Sequence, residues 1–159
     1  MKEKLKFIKT QKVSIELKIK PKILSMFSSI DLDQFEIIHK IGEGGFGKVY
    51  KIKDKKSGLI YAAKISISSL EEETSSTIID LSREISILAS LNHPSIVKFK
   101  GFSSNNFKKK SKPVIITEYL INGSLKDIIN LEKRGLCKEE WTSTRKLINI
   151  YGIASAMSY

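Results

Sequence analysis

The sequence predicts an α+β fold: a five-stranded antiparallel sheet with one main helix, followed by the start of a helical region. Three observations predict it. Three strand-like runs, at 35–41, 48–53 and 59–67, are joined by hairpin-length turns. A stripe at helical spacing, Ile78, Leu81, Ile85 and Leu88, comes next. Two further strand runs, near 96–102 and 113–120, then precede helical patterns to the last residue.

Residues 1–30 read as a basic extension, 31–120 as the sheet-bearing region and 121–159 as the start of the helical one. Up to Lys22 the chain carries eight lysines against two glutamates. Val13–Lys20 alternates apolar and polar residues, the mark of a half-buried strand that must dock on something, and Pro21 ends it. Phe35-Glu-Ile-Ile-His-Lys-Ile41 is the first strand of the domain and leads into Gly42-Glu-Gly-Gly-Phe-Gly47. Lys48–Lys53 is the second, Asp54-Lys-Lys-Ser-Gly58 supplies turn residues, and Leu59–Ile67 is the third. Glu71-Glu-Glu-Thr-Ser-Ser opens a helix to about Ser90, with acids at its positive end, and His93-Pro94 stops it. Asn105–Lys112 is polar and basic and reads as a mobile loop. Asn122-Gly123 is a turn, Ser124-Leu-Lys-Asp127 is a capping box, and a last helix begins near Thr142.

Composition narrows the function classes. The chain has 159 residues, 41% apolar and 28% charged, which is a globular mix for one domain. Its single cysteine, Cys137, excludes an intrachain disulfide and argues against a Cys-rich zinc module. No apolar run is long enough to span a bilayer, and no apolar h-region follows the basic N-terminus. An intracellular, cytoplasmic protein is the expectation. The net charge of +11 would fit a polyanion partner, but only Arg83, Arg134 and Arg145 among 28 basic residues are arginine, the side chain suited to forked phosphate and base contacts. A nucleic-acid partner is therefore not expected. Residues 1–22 could make a weak contact with an anionic membrane, at about 1 kcal/mol per lysine near the surface.

Gly42, Gly44 and Gly47 form G-x-G-x-x-G, a weak signal by itself. A dinucleotide fold needs a helix after the glycines; an alternating strand follows here, and no Gly-Lys-Ser/Thr ending is present. The loop is thus a hairpin whose amides could lie over phosphates. In Tyr61-Ala-Ala-Lys64, Ala62 and Lys64 share a strand face: the ammonium could reach phosphate oxygens while Ala62, with Val49 on the neighbouring strand, leaves room for a flat base. Glu84 lies three residues after Leu81 and four before Leu88, so it borders the buried stripe, and Lys64 is its natural cation. Each taken alone could be an ordinary surface residue.

Together, Gly42-Glu-Gly-Gly-Phe-Gly-Lys-Val49, Ala62-x-Lys64, Glu84 in a helix ending Leu91-Asn-His-Pro-Ser-Ile-Val97, and Ile115-Ile-Thr-Glu-Tyr-Leu-Ile-Asn-Gly-Ser-Leu125 resemble the eukaryotic protein kinases in order and spacing, over about residues 35–159. Glu-Tyr-Leu-x-x-Gly-Ser-Leu is most similar to the tyrosine-kinase-like group of serine/threonine kinases. The resemblance implies an N-terminal lobe with its hinge over 31–120 and an incomplete C-terminal lobe from 121. It implies ATP as cofactor, with Ile41, Val49 and Ala62 around adenine. Amides of Gly44, Gly45, Phe46 and Gly47 would cover the phosphates, with Gly42 opening the loop. Lys64 would bind the α/β-phosphates and pair with Glu84. Thr117 would be the gatekeeper, and the Glu118 carbonyl and Leu120 amide the hinge contacts. Asp127 would approach ribose or substrate, and Leu147, Ile150, Tyr151, Ala154 and Met157 would lie on the central helix of the second lobe.

The family's H-R-D-x-x-x-x-N and D-F-G motifs do not occur in these residues, so no general-base Asp and no Mg²⁺ ligands can be named. His39, in the first strand, and His93, in a turn, do not replace them. The expectation is a truncated kinase sequence whose family transfers the ATP γ-phosphoryl group to protein Ser/Thr hydroxyls, itself inactive. A non-catalytic kinase-like binding or regulatory module is the alternative.

Overall fold

Alternation along five short runs builds the sheet. The computed structural model describes residues 29–45, 47–67, 69–70, 75–137 and 141–159, with the side chains of 75–78 not described. The strand expected at 13–20, the acids expected to open the main helix at 71–73, and Phe46 lie outside the described residues. The strands are β1 (Phe35–Gly44), β2 (Gly47–Asp54), β3 (Ile60–Ser66), β4 (Phe99–Ser103) and β5 (Val114–Glu118). Their order is β1-β2-β3-β5-β4, every neighbour antiparallel. β1 runs three residues further than its apolar pattern, to Gly44, because Gly44 still pairs with Gly47 across the hairpin. It carries two register shifts, which leave Ile38 and Ile41 without cross-strand partners.

The two sheet faces bury different clusters. On one, Ile52, Ala63, Val114 and Ile116 pack with Leu32 and Phe35, and the Phe35 and Tyr61 rings meet edge to face at 5.8 Å. Full burial of such aliphatic and aromatic side chains contributes about 1.5–3 kcal/mol each. On the other, helix α1 (Ser75–Ser90) seats Ile85 against Phe102 and Ile115, flanked by Leu81, Leu88 and Phe99. The helical stripe thus does what its spacing predicts over its last three members. The β2–β3 turn is closed by Asp54 Oδ1, which accepts from the Lys56 and Ser57 amides at 2.8 and 2.9 Å, with Gly58 at φ +73°.

The loop expected to be mobile, 105–112, is cross-braced instead. Asn106 is buried, and its Oδ1 accepts from the Lys108 and Lys110 amides at 2.9 and 3.2 Å. The Lys109 ammonium reaches Asp33 at 2.7 Å. The polarity that suggested a slack loop is used in its internal hydrogen bonds, as an asparagine-closed turn allows.

Contacts divide the chain into two units, the second made of Leu91–Lys98 and Tyr119–Tyr159. It contains α2 (Leu125–Lys133) and α3 (Ser143–Met157). The capping box at α2 is present in full: Ser124 accepts from the Asp127 amide while Asp127 accepts from the Ser124 amide. Thr142 caps α3 by accepting from the Arg145 amide at 3.3 Å. Glu132 links the helices, taking the Trp141 indole N–H at 3.1 Å and the Lys146 ammonium. No residue of α2 or α3 is buried.

Candidate functional site

Cross-strand register assembles the site. Val49 pairs with Lys64, and Lys64 with Ile115; Ala62 pairs with Thr117. Directly opposed residues of antiparallel strands share a face, so Val49, Ala62, Lys64, Ile115 and Thr117 lie on one side of the sheet. It is the side that α1 covers, since Ile115 packs against Ile85. Glu84, one residue before Ile85, meets Lys64 there: Lys64 Nζ donates to Glu84 Oε1 at 2.8 Å.

Both side chains stay open to water, 38% exposed for Lys64 and 44% for Glu84. A pair that wet contributes about 0–1 kcal/mol to folding. Its consequence is positional. The carboxylate fixes a flexible four-carbon side chain in one direction while leaving the ammonium's other donors accessible.

The glycines of the β1–β2 hairpin divide by physical role. A Cβ on Gly47 would fall 2.3 Å from the Ile65 carbonyl oxygen, at φ +154°, so β3 itself demands glycine there. A Cβ on Gly44 or Gly45 would meet nothing within 4 Å. Packing within the chain does not require those two, whereas close approach of a ligand to their amides would. Opposite the tip, Glu43 bonds the ammonium groups of Lys40 at 2.7 Å and Lys48 at 3.2 Å, and their hydrogen bonds and charges hold its carboxyl below the usual carboxylate range.

The remaining predicted residues are less tightly gathered. Ile41 sits at the second register shift and is 41% exposed, and Gly42 pairs with Val49. The Thr117 hydroxyl donates to the Glu118 carbonyl at 3.2 Å, the same carbonyl that a hinge contact would use. Leu120 belongs to the second unit and is exposed. Asp127 is engaged in its capping box, which lowers its pKa chiefly through the Ser124 hydroxyl. A cavity of about 280 Å³ lies elsewhere, bounded by Ser29, Asp31, Asn106 and Lys109 among others, and includes none of the predicted site residues.

His93, expected only to sit in a turn, has partners that the sequence did not show. Its Nδ1 accepts from the Ser95 amide at 3.1 Å, and its Nε2 lies 3.0 Å from Ser155 Oγ on α3, with the Tyr159 ring centroid at 5.4 Å. It fastens the 91–98 segment to α3 within the second unit. The only sequence signal was a histidine directly before a proline, which marks a turn but not what the ring touches. No cluster of three or more His, Cys, Asp or Glu among the described residues could hold a metal ion.

The first unit has the architecture of the N-terminal lobe of a protein kinase: a five-stranded antiparallel sheet, a glycine hairpin, and a helix whose glutamate pairs with a strand lysine. The family described as "Protein kinase domain" matches residues 35–159, and the chain belongs to it. Among curated relatives, an Aurora kinase of Saccharomyces cerevisiae is 34% identical over 87% of this chain and 35% of that protein. Serine/threonine-protein kinase 10 of Mus musculus is 39% identical over 68% of this chain and 10% of that protein. Calmodulin-binding receptor-like cytoplasmic kinase 2 of Arabidopsis thaliana is 35% identical over 63% of this chain and 22% of that protein. The chain thus spans about a third or less of the length of the relatives it matches. Their names do not single out the tyrosine-kinase-like group. No helix among the described residues is long and apolar enough to cross a membrane.

Proposed function

We propose that this chain is the nucleotide-holding part of a serine/threonine protein kinase. The observation that carries the reading is the 2.8 Å pair between Lys64 and Glu84 on the sheet face shared with Val49, Ala62 and Thr117. Val49 and Ala62, with Ile41, flank adenine. The Glu118 carbonyl and the Leu120 amide take its polar edge, behind which Thr117 sets the pocket depth. Amides around Gly44 and Gly45 approach the phosphates because no side chain stands there. Lys64, aimed by Glu84, neutralises the α/β-phosphate oxygens.

Mg²⁺, bound with the nucleotide, would offset the charge on its phosphate oxygens. Among the described residues no group of three or more His, Cys, Asp or Glu side chains would hold it. A base for the substrate hydroxyl is likewise not among the motifs of these 159 residues. They bind ATP and do not transfer its γ-phosphoryl group on their own. A tyrosine-kinase-like affiliation rests on Glu118–Leu125 alone.

Titration with a fluorescent ATP analogue tests the site. Lys64→Met loses a charge-assisted contact and weakens binding about ten- to a hundredfold, with little change in melting temperature because the pair is exposed. Equal affinity in the variant defeats the assignment of Lys64. Transfer of labelled phosphate to a protein substrate by the 159-residue chain defeats the claim of inactivity.

A non-catalytic binding module is the second reading, favoured by the exposed apolar side chains of α3, Ile150, Tyr151 and Met157 among them. Wild-type protein that binds no ATP analogue yet is folded would favour that reading.

A further inference from the structure

We infer that Lys112 is a positioning residue for the Lys64–Glu84 pair, acting through the segment that leaves β3. The inference rests on the nucleotide-site reading above. The ladder between β3 and β5 ends at Ile65 and Val114. Beyond it, the chain leaving β3 is tied by side chains and backbone to the end of the 105–112 loop. The Ser66 amide donates to the Pro113 carbonyl at 2.9 Å, and the Leu70 amide to the Ser111 carbonyl at 2.7 Å. Ser69 Oγ donates to that same Ser111 carbonyl at 3.0 Å. The Lys112 ammonium donates to the Ile67 carbonyl.

These ties act at a sensitive place. Ser66 is two residues after Lys64, and Leu70 is five before Ser75, where α1 begins. α1 itself rests on the sheet through a small cluster centred on Ile85, and the exposed ion pair is too weak to fix the helix's height. The brace therefore holds the chain at the end of β3, and with it the Lys64 side of the pair. At its far end Asn106 closes the loop and Lys109 pairs with Asp33.

Lys112 differs from its neighbours on this loop. It is half-buried, and among the described residues its ammonium meets a backbone carbonyl and no carboxylate. Lys108, on the same loop, is exposed, and among the described residues its bond is made by the backbone amide, to Asn106. Lys108 thus supplies a control of equal charge without the contact.

The test measures two quantities on the full chain: affinity for a fluorescent ATP analogue, and hydrogen exchange at the Ser66 and Leu70 amides. Lys112→Met keeps the aliphatic stem and removes the donor. It is expected to weaken analogue binding about three- to tenfold and to accelerate exchange at Leu70. Lys112→Arg retains a donor and restores most of both, whereas Lys108→Met changes neither. Binding in Lys112→Met that falls no further than in Lys108→Met overturns the inference, as does unchanged exchange. If wild type and Lys64→Met both fail to bind the analogue, the nucleotide reading fails on its own. Exchange at Leu70 then decides the brace: faster in Lys112→Met supports it, and unchanged overturns it.

Discussion

The two units of this chain use the same local signals with opposite results. In the first, alternating strands and one helical stripe bring nine apolar residues, among those described, to near-complete burial, from Leu32 to Ile116. In the second, α2 has a complete capping box and α3 a threonine cap, yet neither helix buries a residue. Caps and propensity decide where a helix starts and stops; they do not supply a surface to bury its apolar side. A sheet with two coverable faces does, which is why the site residues lie mostly where the strands are.

Core truncation should break or sharpen that contrast most strongly. Ile116→Ala removes a fully buried side chain and should cost about 2–5 kcal/mol in urea unfolding. Ile150→Ala, on an exposed position of α3, should stay within about 0.5 kcal/mol. Equal losses would mean that the second unit is packed as tightly as the first. Next come the hairpin glycines. Gly47→Ala drives a Cβ into the Ile65 carbonyl and should cost about 1–3 kcal/mol. Gly44→Ala meets open space and should leave folding within about 0.5 kcal/mol, while weakening analogue binding if amides there face phosphate. A smaller effect is expected at the α2 cap. Ser124→Ala should cost the helix about 1 kcal/mol, seen as faster exchange at the Asp127 amide.

Acid should act on both units. Asp33 is held low by hydrogen bonding to Lys109, Glu43 by Lys40 and Lys48, Asp54 by backbone donation from Ser57, and Glu132 by Lys146. A depressed folded-state pKa means that the stabilisation is present in full above the ordinary carboxylate range. It is lost as pH falls through the lowered values. Stability should therefore be flat from neutral pH to about pH 5 and decline below about pH 4. Asp33, Glu43 and Glu132 are exposed and Asp54 is only half-buried, so the decline should be gradual. A drop centred near pH 6 would contradict this account.

Much of the first unit was legible in the residues. The helix over Leu81, Ile85 and Leu88 packs on the face its period specifies, and the strand following the glycines forms the hairpin that distinguishes this loop from a dinucleotide fold. The pairing of Lys64 with Glu84 was legible only as a candidate, since Glu84 borders the buried stripe of its helix and Lys64 shares a strand face with Ala62, and it was the family resemblance that implied it. The loop at 105–112 was misjudged from its polarity. An Asn-Asn pair gives no sign of which side chain turns inward, so its rigidity and its tie to Ser66–Leu70 were not visible. His93 was placed in its turn correctly, but its partner Ser155 lies 62 positions away and could not be read from the sequence.

The sequence alone pointed to the elements, their order and the glycine hairpin, because these follow from periodicity and turn chemistry within short windows, while the lysine–glutamate pairing was what the family resemblance implied. Only the tertiary structure decided which glycine is demanded by a neighbouring strand, which polar loop is a brace, and which apolar faces are covered. Those depend on backbone atoms brought together from distant positions, and local pattern carries no record of that distance.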